Sequence, residues 1–235
     1  ETGRALAEDH GRADLVVANN VLAHVPDLHD FVGGIGALLA QPGVACFEFP
    51  HLLSLIENTQ FDTIYHEQFS YLSLTVVTEV LAVAGLAVFD VERLPTHGGS
   101  LRLYVCHAGA RSIEPTVTAL LSEEERRGLR DPRTYASFQH RAERIKDDLL
   151  AFLIEARREG RLVAGYGAAA KGNTFLNFSG VRKDLLPFVC DAAPSKQGRF
   201  LPGSHIPVLA PEALDRADLD TVLILPWNIA AEVKR

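Results

Sequence analysis

The sequence predicts an α/β fold made of two strand–helix units joined by a long helix. Three observations carry this. Short apolar runs that read as strands alternate with helical patterns in residues 13–107 and again in residues 161–227. Between them the composition turns charged and turn-rich over residues 112–134. A long amphipathic stretch then follows over residues 135–159.

The elements follow in order. "ETGRALAEDHGR" reads as a helix leading into the buried strand "ADLVVANN" (13–20). "HDFVGGIGALLA" (29–40) has helical spacing, with Phe31, Ile35, Leu38 and Leu39 on one face. "QPG" then turns the chain into the strand "VACFEFP" (44–50). "LTVVTEVLAVAG" (74–85) reads as a helix stopped by Gly85. "LAVFDVERLP" and "SLRLYVCH" alternate as an antiparallel pair joined across "THGG". In the long helix, Phe138, Ala142, Ile145, Leu149, Phe152 and Ala156 recur at spacings of three and four, and Gly160 ends it. "RLVAGYG" is a strand, "AAAKGNTFLNFSG" opens a helix, and "LLPFVCD" and "TVLILPW" are strands. This is the βαβ rhythm of a parallel sheet. The domain boundary is placed near residue 110, giving units at 1–110 and 160–235 with a helical connector at 111–159.

Composition sets limits on function. With 235 residues, 47% hydrophobic and 23% charged, the chain has an ordinary globular make-up. A formal charge of −7 argues against a broad nucleic-acid surface. No apolar run is long enough to span a membrane. Cys46, Cys106 and Cys190 lie far apart in apolar runs and lack zinc spacing, so reduced, buried thiols in a cytoplasmic protein are expected. The sequence contains no Met, and both ends fall within elements, which reads as a piece of a longer chain.

Five stretches are candidates for chemistry. "ANNVLAHVP" (18–26) places Asn19, Asn20 and His24 beyond a strand's C-terminal end, where open α/β sheets bind ligands; a loop with a helix cap explains it equally well. "YHEQ" gathers Tyr65, His66, Glu67 and Gln68 beside Phe61 and Phe69, groups suited to acid–base work if half-buried. In "LPTHGGSLRLY" a plain hairpin turn accounts for Gly98 and Gly99 and leaves His97 over. "GYGAAAKGNT" is a glycine turn between a strand and a helix, an arrangement that frees backbone N–H groups for an anion, with Lys171 adding charge. It matches neither a dinucleotide fingerprint nor a Walker loop. After the next strand, Asp191 is placed to accept ribose hydroxyls, and Lys196 and Arg199 to meet phosphates.

Taken together, "ANNVLAHVP", "FDTIYHEQFSYLS", "LPTHGGSLRLY", "GYGAAAKGNTFLN", "DAAPSKQGRFLPGSHIPV" and "PWN" resemble, in this order, the sugar C-methyltransferases of deoxysugar and antibiotic biosynthesis. The resemblance covers essentially the whole chain. It implies the C-terminal part of a class I S-adenosylmethionine (SAM) methyltransferase domain followed by a Rossmann-like domain. A zinc module and the SAM glycine loop would lie outside this stretch, and this stretch alone would be inactive. The implied reaction methylates carbon 3 of a nucleotide-linked 4-keto sugar, with dTDP as the expected carrier, through an enolate and without a metal. By position, the family's Tyr and Glu match Tyr65 and Glu67, its next His falls on Gln68, and its Asn and His match Asn20 and His24. Because an amide cannot act as a base, His24 becomes the preferred base, ahead of His66. The resemblance sets the nucleotide-binding loops at Gly165, Tyr166, Gly167 and Lys171, and at Asp191 to Arg199. The expected partner is the nucleotide sugar, with no nucleic acid or membrane, and the expected state is a monomer or weak homodimer. The alternatives are a nucleotide-sugar oxidoreductase or binding module, and a methyltransferase relative with another acceptor or no activity.

Overall fold

The structure, a computed structural model, describes residues 1–215 and 218–234. The chain forms two compact units. The first comprises residues 1–58 and 66–136, the second residues 59–65 and 137–235.

The first unit contains α1 (Thr2–His10), β1 (Ala13–Asn19), α2 (Leu28–Leu38), β2 (Leu39–Pro50), α3 (Leu52–Glu57), α4 (Leu74–Val83), β3 (Leu86–Leu94), β4 (Ser100–His107) and α5 (Pro115–Arg126). Its sheet runs β1-β2-β4-β3. β1 and β2 are parallel, while β4 inserts antiparallel between β2 and β3. Alternation sorts the strand residues. Ala45, Phe47 and Phe49 of β2 and Leu101, Leu103 and Val105 of β4 face a core closed by Val32, Leu74, Val77, Leu81, Val117 and Leu120 from the helices. A bulge between Val88 and Asp90 shifts the parity of β3, so Leu86, Val88 and Val91 all reach that core.

Two expectations for this unit change. "QPG" does not turn the chain, because β2 starts at Leu39 directly after α2 and runs through Gln41, Pro42 and Gly43. Residues 112–134 are not only turns, because they hold α5, which starts on Pro115 at its first turn. The buried stripe of α5 is Val117, Leu120 and Glu124. A glutamate at a core position interrupted the apolar period and hid the helix. Cys46 also differs from expectation: it is only half-buried, while Cys106 and Cys190 are buried. Cys46 lies on the opposite parity from Ala45 and Phe47 and faces away from the core.

The second unit contains α6 (Phe138–Arg158), β5 (Leu162–Tyr166), α7 (Ala170–Phe178), β6 (Val189–Cys190), β7 (Val208–Leu209), β8 (Leu219–Ile224) and α8 (Ala230–Val233). Its sheet is wholly parallel in the order β7-β6-β5-β8. Leu149, Leu153 and Ala156 of α6 pack with Val163, Leu176, Val189 and Leu225. β6 is shorter than "LLPFVCD" suggested, since Pro187 has no N–H to give the ladder. β7 was not anticipated; two residues are too few to show an alternation. Residues 111–159, expected as one connector, divide between the units, α5 in the first and α6 in the second.

Candidate functional site

In the first unit, β1 ends at Asn19 and the chain reverses through Asn20. Asn20 has φ 54°, a left-handed conformation that asparagine tolerates better than most residues. Its N–H donates to the Glu48 carbonyl at 2.7 Å, which ties the turn to β2. A short 3-10 turn, Leu22–His24, buries Leu22 and Ala23 and leaves His24 half-buried at its end.

The Tyr65–Gln68 stretch is a bend and turn with no helix. Tyr65 and Gln68 are half-buried, whereas His66 and Glu67 are exposed. Within the first unit, main-chain atoms of Glu67, Phe69 and Ser70 meet the His24 turn. Phe69 N–H and Ser70 N–H donate to the Ala23 carbonyl at 2.9 and 3.2 Å. His24 Nδ1 lies 2.7 Å from the Glu67 carbonyl oxygen. A carbonyl only accepts, so Nδ1 carries the proton, and in the neutral ring Nε2 is the basic nitrogen. His97 is exposed in the β3–β4 turn, with φ 54°.

Behind these loops lies a buried pair that sequence reasoning missed. His51 follows β2, and its Nε2 is 2.7 Å from Glu124 Oε1. Glu124 also accepts from Leu74 N–H and Thr75 N–H, both at 2.8 Å, and from the Thr75 hydroxyl at 2.5 Å. It thereby caps the start of α4 from α5. Burial pushes the Glu124 carboxyl up, but the bonds from His51 and Thr75 outweigh it and hold it below the usual range.

In the second unit the chain order of the strands places the reversal between β5 and β8. Ligands of open parallel sheets sit outside the strand ends at such a reversal. The loop after β5 and the chain after β8 meet there. Gly167 has φ 94°, and a Cβ on it would stand 2.4 Å from Pro226 Cδ, so only glycine fits. Gly165 is buried within β5 and Tyr166 half-buried at its end. α7 begins at Ala170 with no side-chain cap, leaving its first N–H groups for another partner.

Lys171 lies in the first turn of α7. Its Nζ is buried and has no hydrogen-bond partner among the described residues. It sits 5.2 Å from the centroid of the Trp227 ring. Burial pushes its ammonium below the usual lysine range, opposed by the charge of Asp62. Asp62 is buried and accepts the Trp227 indole N–H at 2.7 Å. Burial raises the Asp62 pKa, opposed by that bond and by Lys171. Asp62 and Trp227 were not singled out from sequence, although both lie in quoted motifs. The signal was a lone carboxylate between Phe61 and Thr63 and the single tryptophan of the chain.

Asp191 is placed differently from a free ribose acceptor. Its carboxylate accepts from Ala168 N–H, Ala193 N–H and Lys196 Nζ at 2.8, 2.8 and 3.0 Å. Burial raises its pKa, and these bonds reverse the shift to a net lowering. It therefore clasps the loop after β5 to the loop after β6. Arg199 is exposed, with Nε on the Ser195 carbonyl at 2.8 Å. Among the described residues no helix is long and apolar enough to cross a membrane.

Both units are thus α/β, the first with a mixed sheet and the second with a wholly parallel one. Residues 95–235 match the family described as C-methyltransferase C-terminal domain, and the chain belongs to it. The chain is 39% identical over 234 residues to C-methyltransferase NovU of Streptomyces niveus, covering 99% of this chain and 56% of that protein. It thus spans little more than half the length of that relative. Two solved structures share weaker likeness. Magnesium protoporphyrin IX methyltransferase (ChlM) from Synechocystis PCC 6803 with bound SAH gives a TM-score of 0.35 at 16% identity, over 44% of this chain and 48% of that one. An O-methyltransferase family protein from Burkholderia thailandensis gives 0.33 at 14%, over 46% and 35%.

Proposed function

We propose that the chain is the acceptor-handling part of a SAM-dependent C-methyltransferase acting on a nucleotide-linked 4-keto deoxysugar, with dTDP as the carrier. The observation that supports this most is the family membership together with the 39% identity to a C-methyltransferase along nearly the whole chain. SAM would supply the electrophilic methyl group. The steps below concern the acceptor only.

The 4-ketone acidifies the hydrogen on carbon 3. His24 Nε2 takes that proton, because Nδ1 is held as a donor to the Glu67 carbonyl. The C–H electron pair becomes the π bond between carbons 3 and 4, and the carbonyl π pair moves onto the oxygen, forming an enolate. By the resemblance alone, the Tyr65 hydroxyl is assigned as a donor to the oxygen where charge develops. Gln68 contributes amide hydrogen bonds to the sugar but no base. The diphosphate lies at the switch point of the second unit, on the uncapped start of α7 and on the buried Lys171 ammonium. A diphosphate there would supply the hydrogen-bond partner that this ammonium lacks among the described residues.

The test is methyl transfer from SAM to a dTDP-4-keto sugar by a chain extended to the length of the relative, followed by mass spectrometry. A gain of one methyl on carbon 3 supports the reading. A methyl on oxygen or nitrogen, or none, rejects it.

A further inference from the structure

Thr59, Gln60, Phe61, Asp62 and Thr63 are five consecutive buried residues of a connecting segment in the second unit, with a single 3-10 turn at Phe61–Thr63. Four of them are polar, and polar loop segments ordinarily lie on the surface. Thr59 also has φ 51°, an unfavourable conformation for a β-branched residue. Something must hold this segment in.

Two contacts do so. The Phe61 ring lies 5.6 Å from Phe175 at 76° and 4.9 Å from Phe178 at 51°, so α7 provides an aromatic seat. The Asp62 carboxylate accepts the Trp227 indole N–H at 2.7 Å. Trp227 is itself fixed from its ring face by the Lys171 ammonium. The segment is thus fastened at adjacent residues to α7 and to the chain leaving β8. Its last residue is Tyr65.

We propose that Asp62 is a positioning residue: its bond to Trp227 fixes the Thr59–Tyr65 segment and so sets the place of the Tyr65 hydroxyl. Its catalytic consequence rests on the function proposed above, whereas the anchoring itself does not. Asparagine keeps an oxygen acceptor for the indole N–H, and leucine keeps the bulk without it. Trp227→Phe removes the donor while leaving a ring face for Lys171.

Amide hydrogen exchange on the 235-residue chain tests the anchoring. Asp62→Leu and Trp227→Phe are each expected to speed exchange of residues 59–65 by about ten- to a hundredfold, the effect of one charge-assisted bond. The double variant should be no faster than either single one, because both remove the same bond. Asp62→Asn should stay within a fewfold of wild type. In the extended enzyme, Asp62→Leu should lower kcat by roughly a hundredfold with little change in KM, as expected for a misplaced catalytic group. Asp62→Asn should recover most of that loss. Unchanged exchange in Asp62→Leu, additive effects in the double variant, or Asp62→Asn behaving like Asp62→Leu would overturn the proposal. A wild-type extended enzyme that transfers no methyl would instead remove the proposed function, while the exchange pattern still decides the anchoring.

Discussion

His24 Nδ1 and the main-chain oxygen of Glu67 lie 2.7 Å apart, so the histidine is oriented by backbone and not by a neighbouring carboxylate. The Glu67 side chain is exposed and takes no part in that bond. Glu67→Ala should therefore leave the His24 ring in place, while His24→Ala should reduce turnover by roughly 10²–10⁴. Steady-state kinetics of the extended enzyme compare the two directly.

The resemblance implies a histidine at the position of Gln68. Gln68→His restores a titrating group in that stretch, and activity should be retained or rise. A fall of tenfold or more would mean that histidine cannot replace the amide's hydrogen bonds to the sugar.

Lys171→Ala should raise the Kd for a dTDP-sugar by the equivalent of about 1.5–3 kcal/mol, measured by calorimetry. Gly167→Ala should be worse for the fold, because its Cβ meets Pro226 in a backbone conformation that alanine avoids. A loss of about 1–3 kcal/mol in denaturant unfolding is expected. Asp191→Asn should weaken nucleotide binding indirectly, by loosening the Ala168 and Ala193 loops that it clasps.

Glu124 gives a pH prediction. Its folded pKa is lowered, so its contribution is present above the ordinary carboxylate pKa and is lost as pH falls through the folded value. Glu124→Ala leaves His51 and the Leu74 and Thr75 N–H groups without their acceptor and should cost about 3–5 kcal/mol near neutrality. Glu124→Gln should flatten the acid limb of the stability profile. Thermal unfolding from pH 7 down to well below the ordinary carboxylate range checks both.

The strands and the main helices were legible because each has one buried face, and burial imposes period two or period 3.6 on the sequence. Leu101, Leu103 and Val105 show the first, and Leu149, Leu153 and Ala156 the second. α5 was not legible because Glu124 occupies a core position and is satisfied by partners 73, 50 and 49 residues away. Local pattern carries no trace of such partners. The site divides in the same way. The strand-end loops with Asn20, His24 and Gly167 could be placed because strand and turn chemistry is local. The Asp62–Trp227 bond spans 165 residues and required the fold.

The most direct test of the account is the fate of the hydrogen on carbon 3 of the sugar. The extended enzyme, given a dTDP-4-keto sugar in deuterated water, should wash deuterium into that carbon before methyl transfer. In His24→Ala the exchange should fall by at least about a hundredfold. Exchange at the wild-type rate in His24→Ala, or methyl transfer with no exchange in any variant including Gln68→His, would contradict it.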